Sequence, residues 1–251
     1  MDEMARAWSF ECEMQDRFAA GRREFQLGTV LFDNDLRRVY DANFVRFERG
    51  FDDLTADSVE AAANRLQASL PQRKVVIPDE RAGGRVADGL RSRGWRYYRL
   101  VTMAYRGPAP DPPARPVEEV DAEELRPARE RSLVDGKRDA EARRQIVAFT
   151  ELTARRGSSR LFASRAERDE IGSFCALFLG DGIGEIDDVT TIEQYRRRGL
   201  ASAVVAAAVR ASLDAGAELT FLVAHESDWP HEWYTRLGFE TIGLRYELVR
   251  A

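Results

Sequence analysis

Residues 185–213 read EIDDVTTIEQYRRRGLASAVVAAAVRASL and decide the fold of the second half of the chain. The β-branched run at 186–192 predicts a strand, and the alanine and valine spacing from Leu200 onward predicts a helix. Between them lie three arginines and Gly199, so a strand leads through a basic turn into a helix N-terminus. The first amides of a helix lack intrahelical partners and carry partial positive charge, and arginine adds charge-assisted hydrogen bonds. We therefore predict that this turn binds a diphosphate.

Two motifs in this half resemble signatures of the GCN5-related N-acetyltransferase superfamily. Arg196-x-x-Gly199-x-Ala201 matches the coenzyme-A motif Gln/Arg-x-x-Gly-x-Gly/Ala, and Tyr234-x-x-x-Gly238-Phe239 resembles the later Tyr-x-x-x-Gly-Phe signature. The resemblance covers roughly 117–250. It implies an α/β (α+β) fold with a mixed central sheet flanked by helices, acetyl-CoA as cosubstrate, and acetyl transfer to an amine.

The resemblance assigns acetyl-CoA binding to the end of the acidic strand, the basic turn and the first helical turn. The residues are Val189, Thr190, Thr191, Arg196, Arg197, Arg198, Gly199, Leu200, Ala201 and Ser202. The alternative is an ordinary solvated arginine-rich turn with a helix cap.

A carboxylate on the acidic strand is the expected proton acceptor, because an acceptor amine begins protonated. Glu185 matches the strand position used by histone-type members, and Asp188 is the second candidate. Strict alternation places Glu185 and Asp187 on one face of the strand and Asp188 on the other. Such carboxylates also bind substrate cations or pair with arginine, and this alternative stays open. The family places the oxyanion donor at a backbone N–H near Val189.

Tyr234 matches the tyrosine that the superfamily uses as general acid toward the departing thiolate. Its alternative role is that of a core aromatic packed with Trp233 and Phe239. Neither Cys12 nor Cys175 lies near either motif in the sequence. We therefore predict direct transfer in a ternary complex, without an acyl-cysteine.

Two further patterns have simpler explanations. The glycine-rich segment 180–184 joins two predicted strands and is typical of a hairpin turn. The group His225, Glu226, Asp228 and His231 matches no metal-binding spacing, so no metal is predicted.

Composition narrows the function classes. The chain has 251 residues, 44% of them hydrophobic, and a net charge of -5, which argues against generic nucleic-acid binding. No run approaches the roughly 18 apolar residues of a membrane span, and the first 30 residues lack an apolar signal core. Lysine occurs only at 74 and 137, a bias typical of GC-rich, often bacterial, genomes. A cytoplasmic protein acting on a small-molecule or peptide amine is expected, with a homodimer possible and neither nucleic acid nor membrane as partner.

A proline-rich segment marks the predicted domain boundary, since residues 107–116 hold five of the nine prolines. We predict a domain at 1–107, a linker at 108–116 and the acetyltransferase domain at 117–251. The strand, helix, Gly-aromatic, strand order of 73–105 recurs in 218–249. The N-terminal domain is therefore interpreted as a smaller, degenerate relative that no longer binds coenzyme, with a plain α+β cap domain as the alternative.

The N-terminal half is predicted to hold a helix at 5–21, strands at 24–32, 39–47, 74–77 and 95–105, and helices from 57 to about 70 and from 80 to 93. Residues 33–35 are the predicted turn between the first two strands, and Asp57 with Glu60 is the predicted capping box. Two other functions stay open: a non-catalytic acyl-CoA-binding regulatory module, and a scaffold that dimerises through the N-terminal half.

Overall fold

The computed structural model describes residues 2–134, 139–227 and 229–251, which form seven α-helices and eleven strands. The helices are α1 (Glu3–Phe18), α2 (Ala56–Leu66), α3 (Glu80–Arg91), α4 (Ala122–Val134), α5 (Ala140–Arg156), α6 (Leu200–Asp214) and α7 (Trp229–Arg236). The strands are β1 (Gly21–Phe25), β2 (Gly28–Phe32), β3 (Phe44–Phe47), β4 (Arg73–Ile77), β5 (Arg96–Tyr105), β6 (Glu118–Val120), β7 (Arg160–Arg165), β8 (Ile171–Gly180), β9 (Ile183–Thr191), β10 (Leu219–His225) and β11 (Phe239–Arg250). None of the helices in these ranges is both long enough and apolar enough to cross a membrane.

The chain divides into two compact units that interleave along the sequence. Unit 1 comprises Met1–Glu3, Met103–Val223 and Glu232–Glu240, and unit 2 comprises Met4–Thr102, Ala224–His231 and Thr241–Ala251. The division into domains at 1–107 and 117–251 stays a prediction. The units differ from it mainly in grouping the end of β11 with the N-terminal half.

Unit 1 contains strands in the order β10-β9-β8-β7-β6. β9 and β10 are parallel, whereas the other neighbours are antiparallel, so the sheet is mixed as predicted. Helix α6 packs on β7, β8 and β9. Its small apolar residues Ala203, Val204 and Ala208 are buried, which lets the helix lie close to the sheet.

The predicted hairpin between β8 and β9 is confirmed. Gly180 pairs with Ile183, so the loop has two residues. Asp181 and Gly182 have φ of 47° and 72°, the positive values that a type I′ turn requires.

Unit 2 contains strands in the order β1-β2-β3-β4-β11. β3 and β4 are parallel, and β11 runs antiparallel to β4 with Leu248 opposite Val75. Helices α2 and α3 both pack on β4. Phe47, Ile77 and Leu90 are fully buried in the core of this unit, and the burial of such side chains stabilises it.

The prediction of one strand over 24–32 is wrong, because this segment forms the end of β1, a tight turn and β2. Gly28 allows the close pairing that follows the turn, since a Cβ there would lie 2.0 Å from the carbonyl oxygen of Arg46. The connection from β2 to β3 is also longer than the predicted turn at 33–35. Asn43 closes it: its Oδ1 accepts from the Asp33 amide at 2.9 Å, and its Nδ2 donates to the Leu36 carbonyl at 2.8 Å.

The predicted capping box of α2 is also wrong. Thr55 caps the helix, with its hydroxyl accepting from the Ser58 amide at 3.2 Å and the Ser58 hydroxyl accepting from the Thr55 amide at 3.1 Å. Asp57 and Glu60 instead pair with Arg93. The shorter serine side chain therefore does the work that the sequence pattern assigned to a carboxylate.

The proline-rich segment is irregular between β5 and β6 and is fastened within unit 1. The Tyr105 hydroxyl donates to the Pro108 carbonyl at 2.6 Å, and the Arg210 guanidinium donates to the Pro110 carbonyl. The segment is therefore attached at two points along its length.

Candidate active site

The basic turn leads from β9 into α6 through two left-handed residues. The Ile192 amide donates to the Gly172 carbonyl at 2.9 Å, and a 3-10 turn follows at Glu193–Tyr195. Arg197 has φ of 63° and Gly199 has φ of 80°. Gly199 thus occupies the position where glycine alone carries no steric cost, and α6 begins at the next residue.

The N-terminus of α6 is open. Gly199 offers no side-chain cap, and the first helical bond runs from the Ala203 amide to the Gly199 carbonyl at 3.2 Å. Within residues 2–134, 139–227 and 229–251, the amides of Leu200, Ala201 and Ser202 make no backbone hydrogen bond. Three adjacent donors are therefore directed away from the helix, as an anion-binding helix end requires.

The three arginines of the turn have different surroundings. Arg198 donates to Glu167 at 2.6 Å and its guanidinium lies 5.4 Å from the centre of the Tyr195 ring. Arg196 and Arg197 are exposed and have no ion-pair partner in the part of the chain that the structure describes. Two of the three predicted cations are thus available to a ligand, whereas the third also holds the turn in shape.

The donor set of this turn fits a diphosphate. A Cβ built on Gly199 would meet no atom within 4 Å, so the space beside this glycine is open and a larger side chain would occupy it. Open amides, a helix dipole and two unpaired guanidinium groups are all complementary to phosphate oxygens.

The acidic strand has a β-bulge at the second candidate carboxylate. Asp187 lies opposite Ala176 and Thr190 opposite Phe174, so β9 has one residue more than β8 across this stretch. Asp188 has φ of 53°, a left-handed conformation that aspartate tolerates. Strict alternation therefore ends at Asp188. A bulge of this kind leaves backbone groups unpaired and redirects a side chain.

Asp188 is paired with a buried arginine that the sequence analysis missed. Its Oδ2 lies 2.9 Å from Nη2 of Arg129 on α4, and the two side chains are 30% and 6% exposed respectively. Burial raises the pKa of Asp188 to about 6, while Arg129 opposes that rise and Asp187 adds to it. Residues 125, 128 and 129 share one buried helix face, so an arginine at i+4 from Leu125 is the signal that could have identified it.

The other two carboxylates of β9 have different environments. Glu185 is half-buried and lies opposite Phe178 on β8 and Phe221 on β10. Asp187 is exposed, and its Oδ1 accepts a hydrogen bond of 2.7 Å from the Asp188 amide. Glu185 thus lies three residues before Asp188 in regularly paired strand, whereas Asp188 lies within the bulge.

Tyr234 lies on α7 and is 6% exposed. Its ring centre is 4.7 Å from that of Trp233 and 5.8 Å from that of Phe239, so the packing expected of a core aromatic is present. Burial raises the pKa of Tyr234 well above its usual value, with smaller contributions from Cys175 and Asp187. The phenol therefore stays protonated at neutral pH.

Cys175 is closer to the site than its sequence position indicates. It lies on β8 across from the bulge, and its Sγ is 3.5 Å from the Val204 carbonyl of α6. Burial raises the pKa of its thiol far above the usual value. Proximity in space thus corrects the expectation from sequence distance, but the neutral thiol is a poor nucleophile.

The other patterns offer no competing site among the described residues. His231 lies 3.3 Å from the Thr241 hydroxyl, and the ring of His225 packs on Tyr98. Asp228 lies outside the described residues. Across the described ranges, no group of three or more histidine, cysteine or acidic side chains is arranged to hold a metal ion.

Residues 166–249, which include the bulge, the basic turn and Tyr234, match the model of the FR47-like protein family. No relative was found among curated proteins.

Solved structures resemble the chain over nearly its whole length. A functionally unknown conserved protein from Staphylococcus epidermidis has a TM-score of 0.69 at 13% identity, covering 91% of this chain and 92% of that chain. A GCN5-related N-acetyltransferase from Kribbella flavida has a TM-score of 0.65 at 19% identity, covering 100% and 96%. A GCN5-related N-acetyltransferase from Sphaerobacter thermophilus has a TM-score of 0.57 at 17% identity, covering 92% and 82%. At these identities the likeness shows the fold. The FR47-like match and the fold shared with structures named GCN5-related N-acetyltransferases agree with the resemblance that the sequence motifs indicated, and the predicted mixed sheet flanked by helices is confirmed.

Proposed function

We propose that the protein is an N-acetyltransferase that transfers an acetyl group from acetyl-CoA directly to a primary amine in a ternary complex. The observation that carries the proposal is the open N-terminus of α6, where three free amides adjoin Arg196 and Arg197. A helix end that served only structure would satisfy its donors with a side-chain cap.

Binding of acetyl-CoA is assigned to residues of unit 1 alone. The amides of Leu200, Ala201 and Ser202 receive the diphosphate, together with the guanidinium groups of Arg196 and Arg197. Gly199 leaves the approach open. Arg198 fixes the turn through Glu167 and adds positive charge. Val189, Thr190 and Thr191 line the end of β9, where the unpaired backbone of the bulge supplies an N–H to the developing oxyanion.

The chemistry needs one group that takes a proton and one that gives a proton. A carboxylate of β9 accepts a proton from the acceptor ammonium, which frees the nitrogen lone pair to attack the thioester carbonyl. The new C–N bond forms, the C–S bond breaks, and the phenol of Tyr234 donates its proton to the departing sulfur. The nitrogen loses its second proton as the amide forms, and Tyr234 regains one, so each turnover releases one proton to solvent.

Direct transfer is supported by the state of the nearest cysteine. A double-displacement route would need a thiolate that attacks the thioester. Cys175 is fully buried and its pKa is raised by burial, so it supplies none at neutral pH.

A non-catalytic acyl-CoA-binding regulatory module is the second candidate. It is favoured by one observation, which is that both side chains have internal partners: Asp188 pairs with Arg129, and the Tyr234 ring packs against the rings of Trp233 and Phe239. Such a module would keep the basic turn while using neither side chain in turnover.

The test is a calorimetric titration with acetyl-CoA, followed by thiol release against a panel of polyamines, amino acids, aminoglycosides and peptides with free N-termini. Micromolar binding with amine-dependent thiol release is expected. Binding without release to any amine favours the regulatory module, and absence of binding rejects both assignments of the turn.

A further inference from the structure

Arg129 is a buried cation with unused hydrogen-bonding capacity. Its side chain is 6% exposed, and its guanidinium lies 5.5 Å from the centre of the Phe174 ring. Nη2 meets Asp188, whereas Nε and Nη1 are buried without a hydrogen-bond partner among the described residues. Burying a charge with unsatisfied donors is costly. If packing were the only role of position 129, an apolar residue would be expected there. The buried cation therefore indicates a role besides packing.

The ion pair with Arg129 gives the two oxygens of the Asp188 carboxylate different surroundings. Oδ2 is shielded from solvent and is the atom that meets Arg129. Among the described residues, Oδ1 accepts a single long bond of 3.5 Å from the Thr190 hydroxyl. The side chain is nevertheless 30% exposed, and that exposed area lies on atoms other than Oδ2. Oδ1 is therefore the oxygen left to receive a proton.

We propose that Arg129 is a positioning residue, which holds the Asp188 carboxylate ionised and turned so that Oδ1 accepts the proton of the acceptor amine. This inference rests on the proposed function and chooses Asp188 over Glu185 as the base. The proton moves from the ammonium to Oδ1, which leaves a neutral amine and a neutral carboxyl group, and then passes to solvent.

The charges around Asp188 support Asp188 as the base and Arg129 as the residue that keeps it ionised. Arg129 faces it from α4, Asp187 from its own strand and Cys175 from β8. Burial and Asp187 favour the protonated form, and Arg129 is the group that favours the ionised form. The balance leaves a pKa of about 6, close to the value that suits a base at neutral pH. Without Arg129, the pKa of the Asp188 carboxyl would be higher, because burial and Asp187 both raise it.

The first experiment reads Asp188 directly by ¹³C NMR of the full chain with labelled aspartate carboxyl carbons, titrated from pH 4 to 9. The Asp188→Asn variant identifies the resonance. We expect it to titrate near pH 6 in the unaltered protein. In Arg129→Met it should move up by at least about one pH unit, because a cation at ion-pair distance is lost. Arg129→Lys should restore the original midpoint within about half a unit.

Arg126→Met is the matched control, since Arg126 lies on the same helix and forms an ion pair with Glu151. It should leave the Asp188 midpoint unchanged. If Arg129→Met does not fold, Arg129→Gln provides a neutral polar replacement. An Asp188 midpoint that is the same in the neutral Arg129 variants and the unaltered protein would overturn the proposal.

The second experiment follows thiol release against pH with the best amine of the panel. Activity should fall below about pH 6 in the unaltered protein, and this acid limb should move up with the NMR midpoint in Arg129→Met. An acid limb that stays in place, or full activity in Asp188→Asn, would contradict the role of Asp188. Acetyl-CoA affinity is measured in parallel and should not change in either variant. If the unaltered protein does not bind acetyl-CoA, the proposed function is rejected. The NMR titration still tests whether Arg129 lowers the pKa of Asp188.

Discussion

Helices α2 and α6 make equivalent crossovers but begin differently. Helix α2 connects the parallel strands β3 and β4 in unit 2, and α6 connects the parallel strands β9 and β10 in unit 1. The N-terminus of α2 is closed by the reciprocal bonds of Thr55 and Ser58. That of α6 has no side-chain cap. One helix satisfies its own donors, whereas the other has no side-chain cap to satisfy them within the described residues.

The glycines that precede the two helices also differ in how much space surrounds them. Gly50 and Gly199 both have positive φ, 71° and 80°. A Cβ at Gly50 would lie 2.8 Å from Leu27, whereas one at Gly199 would meet nothing within 4 Å. Asp52 and Asp53 follow Gly50, while arginines precede Gly199. The same backbone device is thus built into a closed acidic turn in one unit and an open basic turn in the other, which supports coenzyme binding by one half of the chain only.

The largest effect should come from closing the open turn. Gly199→Glu fills the approach and adds a negative charge, so two or more charge-assisted hydrogen bonds to phosphate are lost. At about 1.5–3 kcal/mol each, affinity for acetyl-CoA should fall by roughly 100-fold or more.

Gly216→Glu is the control for that variant. Gly216 follows the other end of α6, has φ of 79° and also has open space around it. It should carry a similar conformational cost with normal calorimetric affinity. Equal loss of affinity in both variants would reject the turn as the binding site.

Removing the Tyr234 hydroxyl should affect turnover and not binding. Because general acid catalysis contributes about 10²–10⁴-fold, Tyr234→Phe should lower the turnover number by at least roughly 100-fold with unchanged acetyl-CoA affinity. Tyr105→Phe is a matched control, since the Tyr105 ring also packs on Phe239, at 5.2 Å. Normal turnover in Tyr234→Phe would make this tyrosine a core residue and favour the regulatory module.

The free arginines should contribute more than the engaged one. Arg196→Ala and Arg197→Ala should each weaken acetyl-CoA binding by about 10-fold at low salt, and less as salt screens the charges. Arg198→Ala should cost less affinity, because its guanidinium already donates to Glu167. Calorimetry across a salt series measures all three. Indistinguishable losses would mean that the arginines act only through net charge.

The smallest effect belongs to the closed helix. Thr55→Ala removes the cap of α2 and should lower the free energy of unfolding by about 1 kcal/mol, without changing acetyl-CoA affinity. Chemical denaturation measures the change, and Thr55→Ser, which keeps the hydroxyl, should show little of it. A loss of affinity in Thr55→Ala would show that the closed helix also serves the ligand.

Local patterns carried most of the prediction for unit 1. The strand, basic turn and helix at 185–213 form as expected, because β-branched residues, glycine and helical alanine spacing all act over a few neighbours. The same reasoning failed at 24–32, where an apolar run is interrupted by a turn. Gly28 is required there by the approach of Arg46, a contact that distant pairing creates.

The conformation of the basic turn was predictable from the sequence, whereas the surroundings of Asp188 were not. The bulge at Asp188 depends on register against β8, and a β-branched run gives no sign of one extra residue. Arg129 comes from α4, which is remote in sequence, and only tertiary packing distinguishes it from its neighbours Arg126 and Arg131. The alternation of side chains along a strand was therefore not enough to choose between Glu185 and Asp188 as the candidate base.

The position of β11 has a consequence for the order of events during synthesis. Residues 246–250 pair with 73–77 on β4, so the sheet of unit 2 includes the last strand of the chain. During translation, β4 leaves the ribosome long before its partner strand β11. The sheet of unit 2 therefore cannot be completed, and one side of β4 stays unpaired, until residues 246–250 have been synthesised; an unpaired strand edge is open to misassociation. A fragment ending at 107 would keep that exposed edge permanently, so the N-terminal half cannot be studied in isolation by simple truncation.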